Sequence, residues 1–151
     1  VQLNGRTCDM DRINEIAEKY SLLIIEDSAQ GLGSLYKGKM AGTFGIAGTY
    51  SFYPAKVLGC FGDGGAVVTN DDDIAKKIKL FRDHGRNDKG EFESWGVNSR
   101  LDNLQSAILL EKFKTFDDDI AKRRRIASIY NSEIKSREDI QLPPGPSEND
   151  N

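Results

Sequence analysis

A stretch with helical periodicity runs almost directly into a run of aliphatic residues, and this junction restricts the fold more than any other feature of the chain. In Met10–Tyr20, Ile13, Ile16, Ala17 and Tyr20 recur on one face, Glu15, Glu18 and Lys19 occupy the other, and Asp9 stands before them as an N-cap. The next segment, Leu22-Leu23-Ile24-Ile25, has the continuous apolar character of a parallel strand covered on both faces. Helix followed by such a strand predicts an α/β layer fold. Ligands in these folds bind beyond the carboxyl ends of strands, which is where Glu26-Asp27-Ser28-Ala29-Gln30 falls. Two readings of Asp27 stand: a functional carboxylate, or a strand-end cap and turn former.

A second feature is a lysine held in apolar, glycine-punctuated sequence. Gly45–Phe52 and Ala66–Thr69 read as strands, and Ser51-Phe52-Tyr53-Pro54-Ala55-Lys56-Val57-Leu58-Gly59 begins the link between them. Gly59, Gly62, Gly64 and Gly65 allow backbone to approach backbone or ligand closely. Lys56 is then either a desolvated amine suited to nucleophilic chemistry or a loop lysine that snorkels to water. Elsewhere a small hairpin is expected around Tyr36-Lys37-Gly38-Lys39. Asn70 or Asp71 caps a helix with Ile74, Ile78 and Phe81 as its buried stripe, ended by His84-Gly85. Glu91–Asn98 reads as a loop. Helical patterns follow over Leu101–Phe116, with Leu101, Leu104, Ala107, Ile108 and Phe113 on one face, and over Asp118–Ile134.

The length of 151 residues suffices for one sizeable core, and with 38% hydrophobic and 30% charged residues the chain reads as globular, without a long apolar run. A net charge of -3 provides no footprint for nucleic acid. The dense basic run Lys122-Arg123-Arg124-Arg125 falls in a helical pattern and reads as a solvated face or a small-anion contact. Cys8 and Cys60 give neither a disulfide framework nor metal-ligand spacing, so the cytoplasm is the expected compartment. Asp117-Asp118-Asp119 complements a helix dipole better than it surrounds a metal. Val1 and the turn-rich close from Pro143 suggest an excerpt of a longer protein, against the alternative of a small domain with a flexible tail.

Asp27, Gln30, Ser51, Lys56 and the run Gly62-Asp63-Gly64-Gly65 share one chemical explanation, a pyridoxal 5'-phosphate (PLP) site. Such a site needs an amine to condense with the cofactor aldehyde, a carboxylate to keep the pyridine nitrogen protonated, and hydroxyls and backbone N–H groups for the phosphate. Asp27 and Lys56 are twenty-nine positions apart. The run EDSAQGLGSLYKGKMAGTFGIAGTYSFYPAKVLGCFGDGGAVVTND, with NGRTCDMDRI before it and RDHGR and GVNSRLDNLQSAIL after it, resembles the DegT/DnrJ/EryC1/StrS family of sugar aminotransferases from about Val1 to Tyr130.

That resemblance implies a fragment of the type I, aspartate aminotransferase-like large domain, with a mixed, mostly parallel sheet flanked by helices. Residues 1–117 would be the C-terminal part of the PLP-binding domain, and 118–151 a helix and linker toward a small domain. It further implies transfer of an amino group, usually from glutamate, to a nucleotide-linked keto sugar by ping-pong chemistry. By the same resemblance Lys56 is the Schiff-base lysine and proton shuttle, Asp27 the pyridinium partner, and Gln30 the neighbour of the ring 3-hydroxyl. Ser51 is the phosphate-binding serine. Asn98 reaches the cofactor phosphate of the neighbouring subunit with Arg100 as its companion, which implies a homodimer. A branch of the family with histidine in place of the lysine deoxygenates or dehydrates instead, and Lys56 departs from it. Full-length relatives carry further phosphate-binding and ring-stacking segments upstream, so these residues alone are expected to hold cofactor poorly and not to turn over. The other readings are a non-catalytic nucleotide-binding or scaffold domain, with Lys56 a phosphate contact and Asp27 a cap, and an inactive regulatory paralogue. Tyr36, Lys37, His84 and Arg86 are either contacts for a diphosphate or sugar, or solvated loop residues.

Overall fold

A computed structural model describes residues 1–135 and 137–143; the turn-rich segment from position 144 onward lies outside the described residues. A short 3-10 turn at Leu3–Gly5 precedes α1 (Met10–Tyr20), β1 (Ile25–Asp27), β2 (Leu35–Tyr36), β3 (Lys39–Met40), β4 (Ala47–Ser51), β5 (Gly65–Val68), α2 (Asp72–Arg82), α3 (Asn103–Phe113) and α4 (Phe116–Ile134). The main sheet has the order β1-β4-β5, with β1 parallel and β5 antiparallel to β4. It is thus mixed, with one pairing of each kind.

Local chemistry accounts for several boundaries. The Asp9 carboxylate accepts from Arg12 N at 3.2 Å and opens α1, and Ser21 closes that helix in the left-handed conformation. Asp71 opens α2 in the same way, accepting from Ile74 N at 2.9 Å. Lys37 and Gly38 both have positive φ, which gives the two-residue β2–β3 turn the twist its strands require. Asp117, Asp118 and Asp119 lie in the first turn of α4, at the positive end of its dipole.

The expectation of a doubly covered strand at Leu22–Ile25 is corrected. Leu22 N still bonds to Ala17 O in the cap of α1, and the parallel ladder begins only at Ile25 opposite Ala47. Leu22, Leu23 and Ile25 are exposed. The helical stripes are corrected too. Alpha1 buries Met10 and Ala17 while Ile16 and Tyr20 face outward, and no residue of α2 is buried. Periodicity identified the helices, but burial requires a covering element, and these faces have none within the described residues. The two helices expected over Leu101–Phe116 and Asp118–Ile134 are both present, but the break between them falls at Lys114-Thr115 and Phe116 belongs to the second. Leu101 precedes α3, Leu109 is its one buried residue, and the chain restarts at Phe116, so the expected boundary at 117/118 falls in the first turn of α4.

The core joins the two halves of the chain. Leu58, Cys60, Leu109 and Phe116 are buried together, with Leu32, Phe52, Val57, Leu101 and Ile120 packed around them. At Gly33, φ is +88° and a Cβ would stand 2.9 Å from Ile120 Cδ1, so the missing side chain lets α4 lie directly on the loop after β1.

Candidate active site

The link after β4 is closed onto itself and then pinned. Phe52 N donates to Gly64 O at 2.7 Å and Cys60 N to Phe52 O at 2.8 Å, so residues 53–59 form a compact loop. Gly59 is required at its base, because a Cβ there would lie 2.7 Å from the carbonyl oxygens of Tyr53 and Pro54. From α3, Lys112 Nζ donates to Gly59 O at 2.5 Å and Gln105 Oε1 accepts from Phe61 N at 2.8 Å. Val57 and Leu58 are anchored in the core. Lys56 is therefore carried by a fixed backbone, its own N–H bonded to Tyr53 O at 2.8 Å.

Lys56, Ser51 and Gln30 line one cleft of about 500 Å³, a volume in the range of small-molecule sites. Lys56 is half-buried, and its Nζ has no hydrogen-bond or ion-pair partner among the described residues. Ser51 ends β4, and its Oγ accepts from Tyr53 N at 3.2 Å. Gln30 Oε1 accepts from Asn4 N at 3.0 Å, which leaves its Nε2 without a partner among the described residues. Among the described residues no Asp or Glu lines this cleft.

The remaining expected site residues lie apart from it. Asp27 ends β1 and is exposed; its Oδ1 accepts from Ala29 N at 3.1 Å, the strand-end turn contact anticipated for it, and Oδ2 has no partner among the described residues. Asn98 and Arg100 gather on Asp83. Asn98 makes an antiparallel bridge to Asp83, Arg100 Nη1 lies 2.9 Å from Asp83 Oδ1, and Arg100 Nε donates to Asn98 Oδ1 at 3.2 Å. Arg86 joins the same carboxylate at 3.0 Å. Its hydrogen bond, with the charges of Arg86, Arg100 and His84, holds Asp83 below the usual carboxylate range.

Arg86 is thus an ion-pair partner, and Tyr36 and Lys37 are equally committed: the buried Tyr36 hydroxyl donates to Asp9 Oδ1 at 3.1 Å, and Lys37 pairs with Asp11. Tyr36 is buried and Arg86 half-buried, Lys37 remains an exposed turn residue with its ion pair at the surface, and neither these nor His84 line the cleft.

Two further groups acquire their setting only in the structure. Glu26 is 3% exposed, and its carboxylate accepts from Gln2 Nε2 at 2.8 Å and from the backbone N–H groups of Gly42, Phe44 and Gly45. It fixes the turn that leads into β4. Burial, then the negative charge of Glu26, pushes the Tyr50 hydroxyl above its usual pKa. The acidic residue beside Asp27 had no sequence signal separating it from its neighbour. The second group is the pair Arg123 and Arg124, which line the same cleft as Lys56.

The mixed α/β fold is shared with PLP-dependent aminotransferases of known structure. The structure of DesV from S. venezuelae in complex with a ketimine intermediate superposes with a TM-score of 0.93 at 38% identity, covering 99% of this chain and 40% of DesV. NtdA from Bacillus subtilis with bound cofactor PMP superposes with a TM-score of 0.80 at 34% identity, covering 95% of this chain and 33% of NtdA. The chain belongs to the DegT/DnrJ/EryC1/StrS aminotransferase family, whose model matches residues 1–151. A UDP-2-acetamido-2-deoxy-3-oxo-D-glucuronate aminotransferase from Pseudomonas aeruginosa is 46% identical over 135 residues, 89% of this chain and 38% of the relative. The chain spans about two fifths or less of the length of each of these proteins.

Proposed function

We propose that the whole protein is a PLP-dependent aminotransferase that moves an amino group from glutamate to a nucleotide-linked keto sugar. The observation that carries this reading is Lys56: a half-buried amine without a competing partner among the described residues, on a packed loop, lining a cleft it shares with Ser51 and Gln30. The similarity to nucleotide-sugar and cofactor-bound aminotransferases supports it.

The residues present fit the cofactor chemically. The cleft offers an amine, a hydroxyl and a side-chain amide, and the strand end at Asp27 offers a carboxylate with one oxygen unpartnered among the described residues. When bound, PLP supplies an electron sink that makes the Cα–H bond of an amino donor acidic. Asp27 Oδ2 would hold the pyridine nitrogen in its protonated form, Ser51 Oγ would donate to the phosphate, and Gln30 Nε2 would orient the ring hydroxyl. Lys56 Nζ would tether the cofactor and, once released, take the proton from the donor Cα and hand it on. Among the described residues the cleft has no carboxylate to tie that amine down. Asn98 and Arg100 would complete the phosphate site of a second copy, making the protein a homodimer in the cytoplasm, with residues 118–151 leading toward a small domain.

Borohydride reduction of the PLP-loaded whole protein, followed by peptide mapping, tests the central assignment. The peptide containing Lys56 is expected to carry the reduced cofactor; recovery of that peptide unmodified would overturn the reading. Amino transfer to a panel of nucleotide-linked keto sugars, with glutamate as donor, then tests the substrate class.

A further inference from the structure

The basic run Lys122-Arg123-Arg124-Arg125 is divided by helix geometry. Ile120, Arg123, Arg124 and Ala127, at i, i+3, i+4 and i+7, form one stripe of α4, and all four line the cleft that contains Lys56. Lys122 and Arg125 are not in that lining; Lys122 instead pairs with Asp119 at 3.3 Å. Arg123 has no partner among the described residues, and Arg124 reaches only Gly33 O, at 3.5 Å. Both arginines are exposed, at the rim of the cleft, whereas Lys56 is half-buried. With Lys56, the cleft gathers three cationic side chains and, among the described residues, no carboxylate, in a chain whose net charge is -3. Unneutralised positive charge concentrated in one concavity selects an anionic ligand.

Resting on the nucleotide-linked substrate proposed above, we infer that Arg123 and Arg124 bind the diphosphate of that substrate. Two adjacent anionic phosphates match two guanidinium forks on one helical stripe, because each fork can engage phosphate oxygens in a bidentate manner. The rim position suits the part of a substrate that stays outside the reacting centre. Ser51, on a different element, is left to the cofactor phosphate. Alpha4 is held in place for this by Phe116 and Ile120 packing on the core and by its close approach to Gly33.

The test uses the PLP-loaded whole protein with Arg123→Gln, Arg124→Gln, the double variant, and Arg125→Gln as a control outside the cleft. Binding of UDP, dTDP and GDP is followed by titration calorimetry, PLP content by absorbance, and the glutamate step by the spectral change of the cofactor. Each cleft variant is expected to weaken the preferred nucleoside diphosphate by about 10-fold, and the double variant by more, since a charge-assisted contact is lost each time. Arg125→Gln should stay within about 2-fold, and the dependence of affinity on salt should flatten in the double variant. PLP content and the glutamate step should not change. Undiminished nucleotide affinity in the double variant overturns this inference alone. Loss of PLP or of the glutamate step in the cleft variants also overturns it, because the arginines would then serve the cofactor or the amino donor. If the unsubstituted protein binds none of the three nucleotides while Lys56 is still trapped by borohydride, the nucleotide part of the proposed function fails, and this inference with it.

Discussion

The turn beneath Glu26 and the cleft around Lys56 treat buried charge in opposite ways. Both oxygens of Glu26 are saturated, by one side-chain amide and three backbone N–H groups, within a closed shell that holds residues 42–45 against β1. Lys56 and Arg123 have no partner among the described residues, although the loop and helix that carry them are firmly packed. A charge satisfied from all sides stabilises a fold and is unavailable for anything else. A charge left open on a rigid backbone contributes little to the fold and is free to meet a ligand. Residue type alone does not separate the acids at positions 26 and 27, but their surroundings do: Glu26 is enclosed, and Asp27 keeps one oxygen open.

The sharpest way to break this contrast is a pair of substitutions compared by urea unfolding. Glu26→Ala strands three backbone N–H groups and the Gln2 amide, and is expected to cost roughly 3 to 5 kcal/mol. Lys56→Met removes no hydrogen bond or ion pair among the described residues and is expected to stay within about 0.5 kcal/mol. Comparable losses in the two variants would show that Lys56 is structural after all. A smaller effect is expected at Asp9, which caps α1 and accepts from Tyr36: Asp9→Ala should cost about 1 to 2 kcal/mol, with the loss appearing as faster amide exchange at the start of α1.

The smallest effect concerns Asp83, which lies between the two extremes, half-exposed and shared by Arg86 and Arg100. Its folded pKa is below the ordinary carboxylate value of 3.8, so its contribution to stability is present above that value and disappears as pH falls through the lowered folded value. In an NMR titration the Asp83 carboxyl should titrate below 3.8, and Arg86→Gln should raise its midpoint more than Arg100→Gln, because the Arg86 hydrogen bond is the leading cause. A midpoint unmoved by Arg86→Gln would contradict that ranking.

What could be read in advance follows from the range of each interaction. The cap at Asp9 and the two-residue turn at Lys37-Gly38 depend on residues within a few positions and are found where the sequence places them, the α2 cap is the second of its two candidates, Asp71, and β4 ends at Ser51, one residue short of the expected strand. The family signature around Lys56 was equally legible. Ile16, Leu23 and Phe81 were misjudged because apolar periodicity marks a face that can be covered and says nothing of whether a neighbour covers it. The role of Glu26 was invisible because its partners lie at positions 2 and 42–45, joined only when β1 pairs with β4.

The sequence by itself determined where the helices, the hairpin turn and the lysine-bearing loop lie, because caps, turn residues and hydrophobic spacing act along the chain over one or two turns. Only the tertiary structure decided which charges are enclosed and which remain open. Packing of α4 on Gly33 brings Arg123 and Arg124 to a cleft whose lysine lies far away in sequence, and among the described residues no carboxylate lines it. Whether a charge acts as a structural strut or a ligand contact depends on what the fold sets beside it, and that neighbourhood is written across distant segments.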